Sequence, residues 1–77
     1  MITVHILNPE WTRTVEADAV WLPGAMGQFE VLRNHAPIIS TLTAGEIRWR
    51  AGETEESLPI RGGAVILKDN EMKVCVE

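Results

Sequence analysis

One cysteine, two histidines and two serines in 77 residues leave little material for catalysis, and each scarcity closes off a class of chemistry. Cys75 has no second cysteine to bridge to, which fits a reducing compartment. His5 and His35 stand far apart in the chain, and a zinc-type site needs three or four ligands in fixed geometry. Ser40 falls in an apolar stretch and Ser57 follows a charged one, neither in a nucleophile-elbow setting. No apolar run approaches the roughly 20 residues that span a bilayer as a helix. The opening MITVHILNPE lacks the basic start and long apolar stretch of a signal peptide. These absences predict a soluble cytoplasmic protein, free to dock onto something embedded in a membrane. Basic side chains are also few. Seven Lys and Arg against eleven Asp and Glu give a net charge of −4, and the seven are scattered from Arg13 to Lys73. A nucleic-acid binder clusters its cations to neutralise phosphates, so that class is set aside.

Apolar residues make up 45% of the chain and charged residues 23%, which excludes the composition of disorder. Residues 1–77 are read as a single domain near the small end of what folds alone. A domain of this size buries only about 60% of its unfolded surface. Its own core supplies on the order of 3–5 kcal/mol, to which a bound partner would add by mass action.

The dominant pattern has period two. Ile2, Val4 and Ile6 alternate with Thr3, His5 and Leu7, and Asn8-Pro9 ends that run because proline gives no N–H to a ladder. Trp11, Arg13 and Val15 share one face of the next segment, where Arg13 fits only at an edge open to solvent. Asp18–Leu22 leads to Pro23-Gly24. Gln28–Leu32 follows with Phe29 and Val31 on one face and Gln28 and Glu30 on the other. Pro37–Thr43 reads as a buried strand through Ile38, Ile39 and Leu42. In Glu46–Ala51, Ile47 and Trp49 are expected inside, with Glu46, Arg48 and Arg50 outside. Ser57–Arg61 and Ala64–Lys68 flank Gly62-Gly63, a pair suited to a hairpin or bulge, and Met72, Val74 and Val76 close the count. No stretch carries a sustained helical stripe. The fold class is therefore all-β: a flattened β-sandwich of about nine to ten short antiparallel strands, with turn signals roughly every 8–12 residues.

Other local features take structural readings. Glu53, Glu55 and Glu56 are read as a solvated hairpin tip, and Cys75 as a small packed hydrophobe. Gly24, Gly27, Gly62 and Gly63 lead into strands, whereas a phosphate loop leads into a helix, so turn geometry accounts for them. No catalytic, cofactor or metal site is assigned. Recognition remains, and the polar positions Gln28, Glu30, Arg33, Asn34 and His35 are its candidates. Trp49 is expected in the core. Trp21 is open between core and surface, because Val20 and Leu22 take the opposite face of its strand. A free-standing sandwich that binds a small ligand or carbohydrate through exposed Trp is the alternative.

Leu22–Leu42, LPGAMGQFEVLRNHAPIISTL, resembles the LPG-x-x-G-x-x-x-V-L-x-x-HAP-x-I segment of the N-terminal domain of the ε subunit of F-type ATP synthase. The likeness also takes in the Pro9-Glu10 turn, Ala44-Gly45 before Ile47-Arg48, Gly62-Gly63 and the closing Lys73–Glu77. It implies a non-catalytic rotor subunit at the foot of the central stalk. Such a subunit packs on γ, meets the polar loops of the c-ring through the loop around its Gly-x-x-Gly segment, and reaches the catalytic head through γ. Peripheral placement on the cytoplasmic face of a bacterial inner membrane follows, without direct insertion. The resemblance makes Gln28, Glu30, Arg33, Asn34 and His35 c-ring-facing, and Trp21 a contact to γ. The chain departs from the pattern in places. Gln28 stands where the family carries a glutamate, so Glu30, on the same face, is expected to replace it. Arg33-Asn34 replaces Pro-Gly before the histidine, with Asn tolerating the left-handed region. The segment between Pro9 and Asp18 is one residue short. The second, two-helix domain common in the family has no counterpart in these residues, so its ATP binding and inhibition are not carried over.

Overall fold

Alternation becomes architecture in nine strands and no helix, in a computed structural model that describes all residues from 1 to 77. They are β1 (Ile2–Asn8), β2 (Trp11–Ala17), β3 (Ala19–Gly24), β4 (Gly27–Leu32), β5 (Ile38–Leu42), β6 (Gly45–Ala51), β7 (Thr54–Ile60), β8 (Gly63–Lys68) and β9 (Glu71–Val76). One sheet in the order β2-β1-β9-β8-β5-β3-β6-β7, with β4 added on β3, curls on itself into two layers. The first layer holds β2, β1, β9, β8 and β5. The second holds β4, β3, β6 and β7. Between them lies a single cluster of 16 buried residues, built by the inward positions of every strand. No polar or charged residue is buried, so the interior contributes packing and offers no chemistry.

The inward set follows the period-two reading closely. Ile2, Val4, Ile6, Ile47 and Val31 are buried, and Trp49 is 2% exposed. Asn8 folds its own turn: its Oδ1 accepts the Glu10 N–H at 3.0 Å, which sets the two-residue connection from β1 to β2. The pairing then runs unbroken from Asn8↔Trp11 to Ile2↔Ala17, so the shorter segment leaves no slip in register. Asn34 takes the left-handed conformation at φ 64°, as its type allows.

Four expectations change. Glu53 stays in the turn and all three glutamates are exposed, but Glu55 and Glu56 are strand, not hairpin tip: β7 begins at Thr54, and they stand opposite Arg50 and Trp49. An edge strand that outruns the core needs no apolar alternation, and the arginines facing it supply the complement. Gly62-Gly63 makes no hairpin, because β7 pairs with β6 while β8 pairs with β5 and β9; the dipeptide is the corner where the chain changes layers. Ile39 is 84% exposed and Cys75 lies outside, since Ile38, Leu42, Val74 and Val76 take the inward positions of their strands. Finally, β1 and β9 pair in parallel within the otherwise antiparallel set. No hairpin joins the two ends of the chain, so nothing forces them to run in opposite directions.

Candidate partner interface

The connections gather at two ends of the sandwich. One end carries Pro9-Glu10, Ala25-Met26, Thr43-Ala44 and Arg61-Gly62; the other carries Asp18, Arg33–Pro37, Gly52-Glu53 and Asp69-Asn70. This geometry divides the candidate residues. Gln28 and Glu30 lie on the outer face of β4, opposite Pro23 and Trp21 of β3, and both are exposed. Gln28 is next to the Ala25-Met26 tip, where the Met26 side chain stands fully in solvent. Arg33, Asn34 and His35 sit at the opposite end, beyond the length of β4, about 13 Å of strand from Gln28 to Leu32. The five residues do not form one loop surface.

Asn34 is committed to the fold. Its main-chain N–H donates to Asn70 Oδ1 at 2.7 Å, and Asn70 Nδ2 donates back to Asn34 Oδ1 at 3.0 Å. Both residues have positive φ, 64° and 62°, so two left-handed asparagines latch the β4–β5 loop to the β8–β9 turn. Thr3 N–H donates to the Asn70 carbonyl at 2.8 Å and ties β1 to the same point. His35 closes its own turn, donating its N–H to Leu32 O at 3.2 Å, while its exposed ring places Nδ1 2.8 Å from Ala36 O. Arg33 is exposed and makes no side-chain hydrogen bond or ion pair in the chain.

Trp21 resolves to the outer face of the second layer, half-buried. Its ring carries two guanidinium groups, Arg48 at 5.1 Å and Arg50 at 5.7 Å from the centroid. Both come from β6, whose outward positions the alternation had already identified; what no sequence pattern contained was that β3 lies beside β6. Trp11 stands partly exposed at the β1–β2 hairpin, and Trp49 is core. None of the three indoles lines any of the surface grooves, the largest of which, about 790 Å³, runs past Leu7, Pro9, Arg61 and Cys75. No group of three or more His, Cys, Asp or Glu side chains gathers where a metal could be held.

A closed apolar interior, exposed polar ends and an aromatic–cationic outer face define a small all-β sandwich domain. The chain belongs to the family of ATP synthase delta/epsilon chain beta-sandwich domains, whose sequence pattern matches residues 1–77. It is 39% identical over 77 residues to an ATP synthase epsilon chain of Leptospira interrogans, covering 99% of this chain and 61% of that one. It is 36% identical over 78 residues to the Microcystis aeruginosa epsilon chain, covering 97% and 55%. The chain thus spans little more than half the length of these relatives. The same fold occurs in a chain of Tetrahymena thermophila mitochondrial ATP synthase, central stalk/c-ring, with a TM-score of 0.81, 15% identity, and coverage of 96% of this chain and 61% of that one. A chain in Euglena gracilis mitochondrial ATP synthase, OSCP/F1/c-ring, matches with a TM-score of 0.89, 16% identity, and coverage of 97% and 49%.

Proposed function

We propose that this domain is the sandwich of a non-catalytic central-stalk subunit of F-type ATP synthase, linking γ to the c-ring and so supporting proton-coupled ATP synthesis. The observation that carries the reading is family membership over the full 77 residues, on a fold that buries no polar or charged residue. Such a body works mechanically. Close-packed layers resist deformation, so a push on one end is passed to the other. It needs no cofactor, and it reaches the catalytic head only through γ. Its place is peripheral, on the cytoplasmic face of a bacterial inner membrane.

The split between the two ends suits a body held between two neighbours. In this reading Gln28, beside the Met26 tip, and Glu30, midway along β4 on the same face, meet the basic loops of the c-ring. Arg33 and His35, held by the Asn34 latch, lie at the far end with Trp21 on the flank, toward γ. Co-expression with γ and the c-ring, followed by pull-down, tests the assignment. Glu30→Lys is expected to weaken capture of the ring about tenfold, since reversing a contact charge adds repulsion to the lost attraction. Equal capture of the ring by both chains would remove Glu30 from the interface.

A further inference from the structure

The outward face of β3 and β6 contains an imbalance that the fold does not resolve. Arg50 and Glu55 stand directly opposite one another on β6 and β7, placed to pair. They do not. Glu55 Oε1 accepts from Arg48 Nη1 at 3.2 Å, and the Arg50 guanidinium lies over Trp21 at 5.7 Å from the ring centroid. Arg50 has no carboxylate within ion-pair distance and no side-chain hydrogen-bond acceptor. In a chain with eleven acidic residues to seven basic ones, Arg50 keeps its guanidinium donors free beside a carboxylate.

A second such group is close by. Arg33, also unpaired, lines one open cleft with Arg50, together with Leu32, Asn34, Asp18 and Gly52. Of the carboxylates on this face, Glu55 is engaged by Arg48, and Asp18 Oδ2 accepts the Gly52 N–H at 2.8 Å. Glu30 lies across Trp21 from Arg48, on the β4 side, away from the cleft. Leu32, 49% exposed, adds an apolar surface between the cleft and the solvent. The position of the loop that carries Arg33 is fixed by the Asn34–Asn70 pair, so the two guanidiniums are presented from anchored backbone.

We infer that this face, from Trp21 across Arg50 to Arg33, is the docking surface for an acidic segment of the stalk partner. That segment presents at least one carboxylate to the cleft that Arg33 and Arg50 line and an apolar side chain to Trp21 and Leu32. Arginine's planar fork takes a carboxylate through two parallel N–H donors, and its stacking on an indole preorganises that fork. Tryptophan and arginine together are the residue types that dominate binding energy at protein interfaces. The inference rests on the stalk-subunit reading and adds to it the chemistry of the surface on γ.

The test is titration calorimetry of the intact chain against γ at low and high salt, with Arg33→Glu, Arg50→Glu, the double variant and Trp21→Ala. Arg33→Glu and Arg50→Glu each change an exposed side chain that the core does not touch, and thermal unfolding followed through the buried Trp49 verifies that they fold. The expected result is about tenfold weaker binding for each reversal, and a salt dependence in the double variant that is flattened or inverted. Compensating reversal of acidic positions on γ is expected to restore the double variant. Binding by the double variant within about twofold of wild type would overturn the inference and leave the stalk reading standing. Failure of the unaltered chain to bind γ at all would overturn both.

Discussion

Where β3 meets β5, the two layers are joined by main-chain groups. Gly24 pairs with Leu42, Thr43 N–H donates to Pro23 O at 2.8 Å, and Ala25 N–H donates to Thr41 O at 3.1 Å. Midway along β2, where it crosses β6 and β7, the layers are joined by side chains: Arg13 Nη2 bonds Glu56 Oε1 at 3.0 Å, and its guanidinium lies 5.3 Å from the centre of the Trp49 ring. The first seam is continuous sheet, fixed in register and indifferent to salt. The second is a clasp over the open side of the core, adjustable and half in water. A rigid hinge line opposite a soft one tells which substitutions the body tolerates. Along the first seam the backbone spacing is set and nothing can be added. Along the second, a side chain can be exchanged with modest loss.

The sharpest way to break that contrast is at Gly63, which pairs with Leu42 on one side and Val76 on the other, in the same row as Gly24. A Cβ on Gly63 would fall 2.0 Å from the Cys75 carbonyl oxygen, and its φ of 156° is one that side chains seldom adopt. No flexible group can move aside, because the obstacle is the neighbouring strand's backbone. Gly63→Ala is expected to cost about 3 kcal/mol or more, most of what a domain of this size possesses. Circular dichroism during heating would show a fall in midpoint of well over 10 °C, at roughly 4–8 °C per kcal/mol. A loss under about 1 kcal/mol would show the first seam to be as compliant as the second.

What the sequence made legible follows the same division. Where one strand face is apolar and the other polar, as in β1, β4 and β6, the alternation alone identified the inward residues, because burial of one face is the physical cause of the pattern. Ile47 and Trp49 against Arg48 and Arg50 is the clearest case. The pattern fell silent where a strand lies outside the core, so the start of β7 at Thr54 was hidden among glutamates. It misled where both faces carry apolar residues, since Ile38 and Ile39 look alike until Leu67 and Ile66 are found opposite them. Pairings between distant segments were out of reach. Gly62-Gly63 reads as a turn, but whether a turn returns to its own strand or crosses to another layer depends on partners elsewhere. The interface suffers from the same limit. Arg33, Arg50 and Trp21 share a surface only because β3 lies between β4 and β6, and no local motif records that neighbour relation.

A loss of intermediate size is expected at the Asn34–Asn70 latch, which holds the end of the molecule away from either seam. Asn34→Ala removes an acceptor and puts at φ 64° a residue that tolerates the left-handed region less well than asparagine, for a combined cost of about 1–2 kcal/mol. Asn34→Gly loses the same acceptor but is at ease in that conformation, so it is expected to cost about half as much. Parallel thermal melts of the two variants separate the backbone term from the hydrogen bond. Equal losses would assign the whole effect to the side-chain bond.

The smallest effect is reserved for the clasp. Arg13 and Glu56 have side chains close to half exposed, at 47% and 48%, and solvent screens such a pair strongly. Arg13→Met keeps an unbranched stem over the Trp49 ring while deleting the charge, and is expected to cost about 0.5–1 kcal/mol at low salt. Two components add to that figure and respond differently to ions. The ionic bond to Glu56 weakens as salt is raised, whereas the stacked contact with Trp49 persists. A double-mutant cycle with Glu56→Gln, run at about 0.05 and 1 M salt, should therefore show a coupling of roughly 0.2–1 kcal/mol that largely vanishes at the higher concentration. A coupling that survives high salt at full size would mean that the side-chain seam is held as firmly as the backbone one, and the contrast between the two edges of the sandwich would not stand.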